Sequence, residues 1–494
     1  MSPTPNPSIF RYAKFNLNAL IKHAEELRSA RCSCDVSQEP MAGSHNWALV
    51  LTFDDNGEDW IFRSPRLDSG FSEETIAMMV ESEVTSIQVS KLNCIPVVEV
   101  KSYYASARNT IQIAYMLTTR APGFSISSKY VWNPDAEGIK PPRNPLPCLP
   151  TAAKEKIMRQ LGFLIARILQ SPFEEIGSLY EREGKVRVGR CLSRTLTWSG
   201  RDLCEEIARG PFSNDKDYYD SVLSALRYHA EQLPLSHHLF LAPVPKAKDF
   251  ETVSNYRSAV QLWNDFATVD QKIDSSKNRL DYIAMAHLMR DIIPSISISQ
   301  QKYYLKPPDL SMSNIFIDDA FNITCIIDWT SCFTVPLPTL LITPSFPHPR
   351  DDVDADMASI FKESVIGHSS QMKDVLEDPS SWDLAQKSRL FMQLADLDGY
   401  EDYHHFIELY TSVHTDLAGT DVRGLFDALR TNDAFTSQAK SRVTEDLPAS
   451  EIQRKEKEYF AHSRPGAEDL ARKLSGKAGT EAGFVADCSI WSSV

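Results

Sequence analysis

Three oxygen-bearing side chains, close together in the sequence, have the types and spacing that metal and phosphate chemistry needs: Asp309, Asn314 and Asp328. The runs 315–317 and 323–327 are apolar and rich in isoleucine, and the residues that separate them are turn formers. This pattern predicts an antiparallel hairpin with Asn314 and Asp328 at the same end. Asp309 precedes the hairpin by a short loop, so we expect all three side chains to converge.

Such a convergence suits the transfer of a phosphoryl group. Mg²⁺ binds hard oxygen ligands and often takes only one or two of them from the protein. Phosphoryl transfer also needs a carboxylate near the incoming hydroxyl group. We therefore expect Asp309 to act as the base, and Asn314 and Asp328 to hold the metal. The alternative interpretation is an ordinary surface hairpin with incidental acidic residues.

The first part of the chain has the pattern of several β-strands and one prominent helix. The strands are predicted at residues 47–53, 60–62, 97–104 and 111–117. Asn56-Gly57 between the first two strands is typical of a tight hairpin turn. Residues 72–92 predict the helix, with Ser72 as its N-cap.

From residue 151 onward, helical patterns prevail. Apolar residues recur at helical spacing between Ile157 and Leu169, as in an amphipathic helix. Further helices are predicted at residues 215–233, 254–268 and 279–293. The chain therefore combines a small β-rich part with a larger helical part.

The composition argues against several classes of protein. The 494 residues are 42% hydrophobic and carry a net charge of −14. Nucleic acids and anionic membranes usually require a basic face, so we expect neither as a partner. No segment is apolar over a length that would span a membrane, and the first residues lack the apolar core of a secretory signal. The nine scattered cysteines indicate reduced thiols, so we expect a cytoplasmic protein, with a mitochondrial location as the alternative.

The block 309–329 resembles the catalytic loop and the metal-binding aspartate of aminoglycoside phosphotransferases and related kinases. The fungal branch of that family, similar to the altered-inheritance-of-mitochondria type, carries H-P-D-L-S-x-x-N and later I-T-x-I-I-D-W. This chain has PPDLS at 307–311 and ITCIIDW at 323–329. Shorter stretches that are also similar to the fungal proteins lie at residues 14–20, 176–180 and 210–213.

The resemblance implies an α+β, protein-kinase-like bilobal fold with a small β-rich N-lobe and a larger helical C-lobe. The implied domains are an N-terminal helical extension at 1–35, the N-lobe at 36–122, the C-lobe at 123–430 with the catalytic loop and metal site at 305–332, and a polar tail at 431–494.

A nucleotide site in the N-lobe is implied as well. Gly43 and Ser44 lie where the family carries its phosphate loop, Arg63 matches the basic residue on the phosphates, and Glu83 matches the helix glutamate that pairs with it. Residues 117–120 would hold the adenine. The resemblance thus implies ATP and Mg²⁺ as cofactors and a hydroxyl group of a small molecule as the acceptor. Gly43 could equally be a plain turn glycine, and Arg63 and Glu83 could be solvated surface charges.

Two departures from the family pattern leave alternatives open. Pro307 replaces a histidine that helps to fix the catalytic loop, and proline cannot donate a hydrogen bond. Arg63 replaces a lysine, and the two cations bind phosphate differently. One alternative is a pseudokinase that acts as a binding or scaffold protein, and another is a kinase with a protein substrate. The sequence leaves the oligomeric state open.

Overall fold

The computed structural model describes residues 8–55, 57–66, 70–132, 146–235, 238–240, 273–298, 302–347, 349, 353–398, 402–415, 422–440, 450–451 and 454. The chain forms two compact units. The first comprises Met1–Tyr130, Pro150–Tyr218 and Ile298–Ala385, and the second comprises Val131–Leu149, Tyr219–Ser297 and Gln386–Val494. The lobe boundaries expected from the sequence stay a prediction. The predicted helix at 254–268 and most of the polar tail lie outside the described residues.

All the described strands belong to the first unit. They are β1 (Cys32–Ser33), β2 (Met41–Ala42), β3 (Asn46–Phe53), β4 (Trp60–Pro65), β5 (Val100–Tyr104), β6 (Tyr115–Thr119), β7 (Phe124–Ser125), β8 (Ser178–Arg182), β9 (Lys185–Gly189), β10 (Tyr303–Lys306), β11 (Ile315–Ile317), β12 (Ile323–Ile326) and β13 (Phe333–Pro336).

The helices occur in both units. They are α1 (Leu17–Arg28), α2 (Glu73–Leu92), α3 (Ile126–Lys129), α4 (Thr151–Ile168), α5 (Arg194–Thr197), α6 (Asp215–Gln232), α7 (Ser276–Met289), α8 (Ile293–Ile296), α9 (Leu337–Leu340), α10 (Ala355–Gly367), α11 (Lys373–Glu377), α12 (Pro379–Asp396), α13 (Asp402–Val413), α14 (Arg423–Thr431) and α15 (Asp433–Lys440). The combination confirms the α+β fold class, with an N-terminal sheet followed by a mainly helical remainder.

The N-terminal sheet is antiparallel and has the strand order β1-β3-β4-β6-β5, with β2 also paired to β3. The alternation along β3 places Trp47, Leu49 and Leu51 in the core, because successive side chains of a strand point to opposite faces. In the register of β3 with β4, Ala48 lies opposite Arg63. The predicted hairpin is therefore confirmed, and Arg63 occupies its second strand.

The helix predicted at 72–92 is confirmed as α2. Its N-cap is Ser72, whose side chain accepts a hydrogen bond from the Thr75 N–H. The strand predicted at 111–117 begins later than expected, at Tyr115. Asn109 is the physical reason, since its side chain donates to Ile113 O at 2.7 Å and accepts from two backbone N–H groups of the same segment. A turn therefore replaces the first residues of the predicted strand.

The hairpin predicted from the acidic block is formed by β11 and β12. Ile315 pairs with Ile326, and the N–H of Ile327 donates to the carbonyl of Asn314 at 3.0 Å. Asp318 closes the turn, because its side chain accepts from the N–H groups of Ala320 and Asn322. On its other side β11 pairs with β7.

Helices make up the regular structure of the described part of the second unit. Phe240 lies at the centre of an aromatic core, with ring centroids 5.3 Å from Tyr282, 5.6 Å from Tyr403 and 5.2 Å from Phe426. Beside this core, the buried Asp402 accepts a hydrogen bond of 2.5 Å from the Tyr282 hydroxyl.

Within the described ranges, no helix is long and apolar enough to cross a membrane.

In the first unit, α4 and α10 pack at close range where Gly162 lies. A Cβ atom at that position would be 2.6 Å from the carbonyl oxygen of Phe361 and 2.7 Å from the Cβ of Ser364. Backbone atoms cannot move aside as a flexible side chain can. The glycine therefore sets how closely the two helices pack.

We expect Gly162→Ala to lower the free energy of unfolding by about 1–3 kcal/mol, because the added methyl group overpacks the helix contact. Gly367→Ala, at the end of α10, is the matched control, since its Cβ would meet nothing within 4 Å. Alanine has the better helix propensity by about 1 kcal/mol, so the control should be neutral or slightly stabilising. Urea unfolding of both variants measures the difference. Equal effects would contradict the packing argument.

Candidate active site

A cavity of about 680 Å³ lies in the first unit, between the N-terminal sheet and the β11–β12 hairpin. This volume is typical of sites that enclose a small ligand or cofactor. Its wall is formed by residues 41–48, 50, 61, 63, 83, 87, 98, 116, 118–121, 309, 313, 314, 316 and 327–330. The wall includes all seven site residues named from the sequence, which come from segments far apart along the chain.

The loop before β11 holds the carboxylate of Asp309 by hydrogen bonds of its own residues. Asn314 Nδ2 donates to Asp309 Oδ2 at 2.9 Å, and the hydroxyl of Ser311 donates to the same oxygen at 3.3 Å. The N–H of Asn314 also donates to the carbonyl of Ser311, which tightens the loop. The loop is thus fixed although Pro307 stands where the family that the sequence resembles has a histidine. Asp309 Oδ1 is buried and has no hydrogen-bond partner.

Asn314 and Asp328 lie at the same end of the hairpin, as predicted. Since Asn314 gives its Nδ2 to Asp309, its Oδ1 is left to face other groups. Asp328 adopts a left-handed backbone conformation with φ of 61°, which costs a non-glycine residue about 1 kcal/mol or more. Strained residues of this kind cluster at functional sites, where the surrounding structure holds them in place.

The oxygens of these two residues fit a magnesium ion. An amide oxygen and a carboxylate are hard ligands, and Mg²⁺ commonly binds through one or two carboxylates together with substrate phosphates. Among the described residues, no group of three or more His, Cys, Asp or Glu side chains could hold a metal ion. A metal ion at this hairpin would therefore take part of its coordination from phosphates or water.

Arg63 and Glu83 form a buried ion pair. Arg63 Nη1 donates to Glu83 Oε1, and the two side chains are 17% and 6% exposed. Arg63 Nη2 reaches a second carboxylate, Asp328 Oδ1, at 2.5 Å. The planar fork of arginine can serve two acceptors through separate nitrogens, which the single nitrogen of lysine cannot. The solvated surface charges considered as the alternative are therefore excluded by the burial of both partners.

The hydroxyl of Thr330 connects these charged groups. Its Oγ1 lies 2.9 Å from Arg63 Nη2, 2.9 Å from Glu83 Oε2 and 2.9 Å from Asp328 Oδ1. It accepts from the arginine and gives its single proton to one of the carboxylates. Asn46 Nδ2 donates to the same oxygen at 3.4 Å. Thr330 thus links the N-terminal sheet, α2 and the end of the hairpin.

Burial and charge shift the pKa values of the acidic groups in the cavity. Burial raises the pKa of Asp309, and the negative charge of Asp328 adds to the rise. Burial also raises the pKa of Glu83, while the Arg63 guanidinium opposes that rise. For Arg63 itself, burial lowers the pKa, but Glu83 and Asp328 outweigh it, so the guanidinium stays charged. A base with a raised pKa accepts a proton more readily than an ordinary carboxylate does.

The turn between β2 and β3 carries the two residues predicted to bind phosphates. Gly43 and Ser44 line the cavity, and the N–H of Gly43 donates to the carbonyl of Asn46 at 2.9 Å. A Cβ on Gly43 would lie 4.0 Å from the nearest atom, so the turn itself does not require glycine. Of the residues predicted to hold adenine, Thr118, Thr119 and Arg120 line the cavity, whereas Leu117 is fully buried in the core.

Sequence reasoning missed Thr330, and it included His45 and Asn46 only as members of the stretch 43–46 that was predicted to form the phosphate turn. Thr330 follows Asp328, the predicted metal ligand, by two residues. Its hydroxyl group directly after the IIDW motif was the signal that the sequence offered. His45 belongs to the predicted phosphate turn, and its ring lies 4.5 Å from that of Trp198. Burial lowers the pKa of His45, which favours the neutral imidazole. The Arg194 guanidinium also lies over the Trp198 ring, at 3.5 Å from the ring centroid.

A scan against protein-family models and a search of curated proteins gave no match. Among solved structures, the chain is similar to a thermostable mutant of an aminoglycoside phosphotransferase, with 11% identity and a TM-score of 0.37 over 81% of this chain and 100% of the other. A spectinomycin phosphotransferase with bound ADP and spectinomycin has 10% identity and a TM-score of 0.36, over 87% of this chain and 98% of the other. An ethanolamine kinase from Plasmodium vivax has 10% identity and a TM-score of 0.35, over 79% of this chain and 85% of the kinase. All three TM-scores are low, so the functional proposal rests on the side chains of this chain.

The ion pair can be tested by neutralising Glu83. We expect Glu83→Gln to lower the free energy of unfolding by about 3 kcal/mol or more, because it leaves the Arg63 charge buried without its main partner. Glu81→Gln on the same helix is the matched control. Glu81 pairs with Arg182 at 2.9 Å, but both side chains are partly exposed, so its loss should cost less than about 1 kcal/mol. Urea unfolding measures both changes, and similar values would show that the Arg63–Glu83 pair is not structurally important.

Proposed function

We propose that this protein is an ATP- and Mg²⁺-dependent phosphotransferase that phosphorylates a hydroxyl group of a small molecule. The observation that carries the proposal is the convergence of Asp309, Asn314, Asp328 and the Arg63–Glu83 pair on one cavity. An unpaired carboxylate oxygen, two hard metal ligands and a fixed cation are the parts that phosphoryl transfer requires.

Each residue has a role that follows from its contacts. Asp309 Oδ1 is buried and unpaired, so it would orient the acceptor hydroxyl and take its proton. Asn314 and Asp328 would hold Mg²⁺, which supplies charge neutralisation on the phosphates when bound. Arg63 would bind the phosphates, and Glu83 would fix its direction. The turn at Gly43 and Ser44 would cover the phosphates, and Thr118, Thr119 and Arg120 would surround the base.

The pseudokinase alternative receives less support. It was suggested by Pro307, but the loop around Asp309 is ordered by Asn314 and Ser311 without a histidine. The expected base, Asp309, and the two expected metal ligands, Asn314 and Asp328, also line the same cavity. The fungal branch of the family, the acceptor and the compartment stay predictions from the sequence.

Nucleotide binding is tested by thermal unfolding with ATP, with and without Mg²⁺. A ligand that binds only the folded state stabilises it by about 2.7 kcal/mol at a hundredfold excess over its Kd. We expect a Mg²⁺-dependent shift in wild type that Asp328→Ala abolishes. Asp319→Ala is the control, since Asp319 lies on the turn of the same hairpin, is 95% exposed and pairs with the half-exposed Lys129 at 3.5 Å. The absence of any shift at millimolar ATP would reject the kinase proposal in favour of the scaffold.

Catalysis is tested separately by Asp309→Asn. The amide keeps the shape of the side chain but cannot accept the proton, so we expect phosphate transfer to slow by about 10²–10⁴-fold. ATP binding should be unchanged, because Asp309 is not assigned to the nucleotide. ADP formation in the presence of pools of small hydroxyl compounds measures the rate and also searches for the acceptor. Undiminished transfer by the variant would show that Asp309 is not the base.

A further inference from the structure

One imidazole on the wall of the cavity, that of His45, has no assigned part in the proposed reaction. Its ring centroid lies 4.5 Å from that of Trp198 and 5.3 Å from that of Phe71, so the ring is packed against both. Both of its ring nitrogens are buried, and no described residue gives them a hydrogen-bond partner. Buried polar groups in proteins are nearly always hydrogen-bonded. The hydrogen-bonding capacity of His45 therefore suits a ligand in the cavity.

Trp198 also positions a cation beside this imidazole. The guanidinium of Arg194 lies over the face of the indole ring, with its Cζ 3.5 Å from the ring centroid. A guanidinium stacked on an aromatic face directs its N–H donors along its own plane rather than into the ring. Arg194 is separate from Arg63, whose two terminal nitrogens hold two other carboxylates. The proposed transfer of phosphate has not yet given this second cation a role.

The charge of Arg194 acts on the predicted base as well as on the imidazole. Burial and the charge of Asp328 raise the pKa of Asp309, whereas the hydrogen bond from Ser311 and the charge of Arg194 oppose that rise. Burial lowers the pKa of His45, Asp328 opposes this change, and Arg194 adds to it. The neutral imidazole that results can donate one hydrogen bond. A cation at this place favours an acceptor with a negative group and disfavours one with a positive group.

We propose that His45 and Arg194 bind an anionic group, a carboxylate or a phosphate, of the acceptor whose hydroxyl lies at Asp309. This inference rests on the proposed function and names the class of its acceptor. The acceptor oxygen forms a bond to the γ-phosphorus of ATP, the bond from that phosphorus to ADP breaks, and the hydroxyl proton passes to Asp309. The anionic group takes no part in these bond changes and serves only to hold the acceptor in place.

The acceptor class is tested by ADP formation from ATP and Mg²⁺ with three separate pools of hydroxyl compounds of similar size. The neutral pool contains polyols and sugars, the cationic pool amino alcohols and amino sugars, and the anionic pool hydroxy acids and sugar phosphates. We expect turnover with the anionic pool to be at least about tenfold faster than with either other pool, because hydrogen bonds between charged groups are the stronger ones. Turnover that is fastest with the neutral or the cationic pool overturns the inference and leaves the proposed function standing.

The variant Arg194→Gln locates the preference. We expect it to raise the KM for the anionic acceptor at least about tenfold and to leave the KM for ATP unchanged, because it removes the charge that the anionic group meets. It should also reduce the ratio of anionic to neutral turnover, which a general loss of structure would leave unchanged. A rise in the KM for ATP instead shows that the cation serves the nucleotide, and overturns the inference. If the variant does not fold, the comparison of the three pools with wild type still decides.

The matched control is Arg190→Gln in the same segment. Arg190 is paired with Glu74 at 3.7 Å, and the variant should keep the KM of wild type for the acceptor. An equal rise in both variants would overturn the specific role of Arg194. No turnover with any pool, while ATP and Mg²⁺ still shift thermal unfolding, overturns the inference alone. No turnover together with no shift overturns the proposed function as well.

Discussion

The buried pair of Arg63 and Glu83 is the interaction on which the rest of the site depends. Removing two charges from water is costly unless they are well paired and hydrogen-bonded. Glu83 has such partners in Arg63, the N–H of Trp329 and the hydroxyl of Thr330. These partners come from β4 and from the segment after β12. An unpaired charge at this place would be costly, so β4, α2 and the segment after β12 are held together although they are distant in sequence.

The surroundings of α2 keep Glu83 in that arrangement. Ser72 caps the helix, and its N–H donates to Asp202 at 2.9 Å. The β8–β9 hairpin packs along the helix, with Arg182 bonded to Glu81 at 2.9 Å. Held at its start and along its side, α2 has little freedom to turn Glu83 away from Arg63.

The electrostatics of the cavity bear on the anionic ligand that the proposed function requires. The net charge of −14 is a property of the whole surface, whereas the charges that face the cavity are few and fixed. Of the charged side chains that line the cavity, Arg63 and Arg120 are positive, and Glu83, Asp309 and Asp328 are negative. Phosphates alone would meet three carboxylates and two guanidinium groups, an unfavourable balance that a divalent ion would correct. In the proposed function, metal and nucleotide would therefore favour each other's binding at this cavity.

The sequence by itself determined the local structure and the identity of the main groups. Hydrophobic alternation and turn formers predicted the β3–β4 and β11–β12 hairpins, and the N-cap predicted α2, because these features depend on neighbouring residues. Hairpin geometry alone placed Asn314 beside Asp328. The resemblance implied the pairing of Arg63 with Glu83. Only the tertiary structure decided that Arg63 also reaches Asp328, that Thr330 joins these side chains, and that Gly43 is not required by its turn. Such contacts join residues more than 200 positions apart, and their distances follow from packing, which no local pattern encodes.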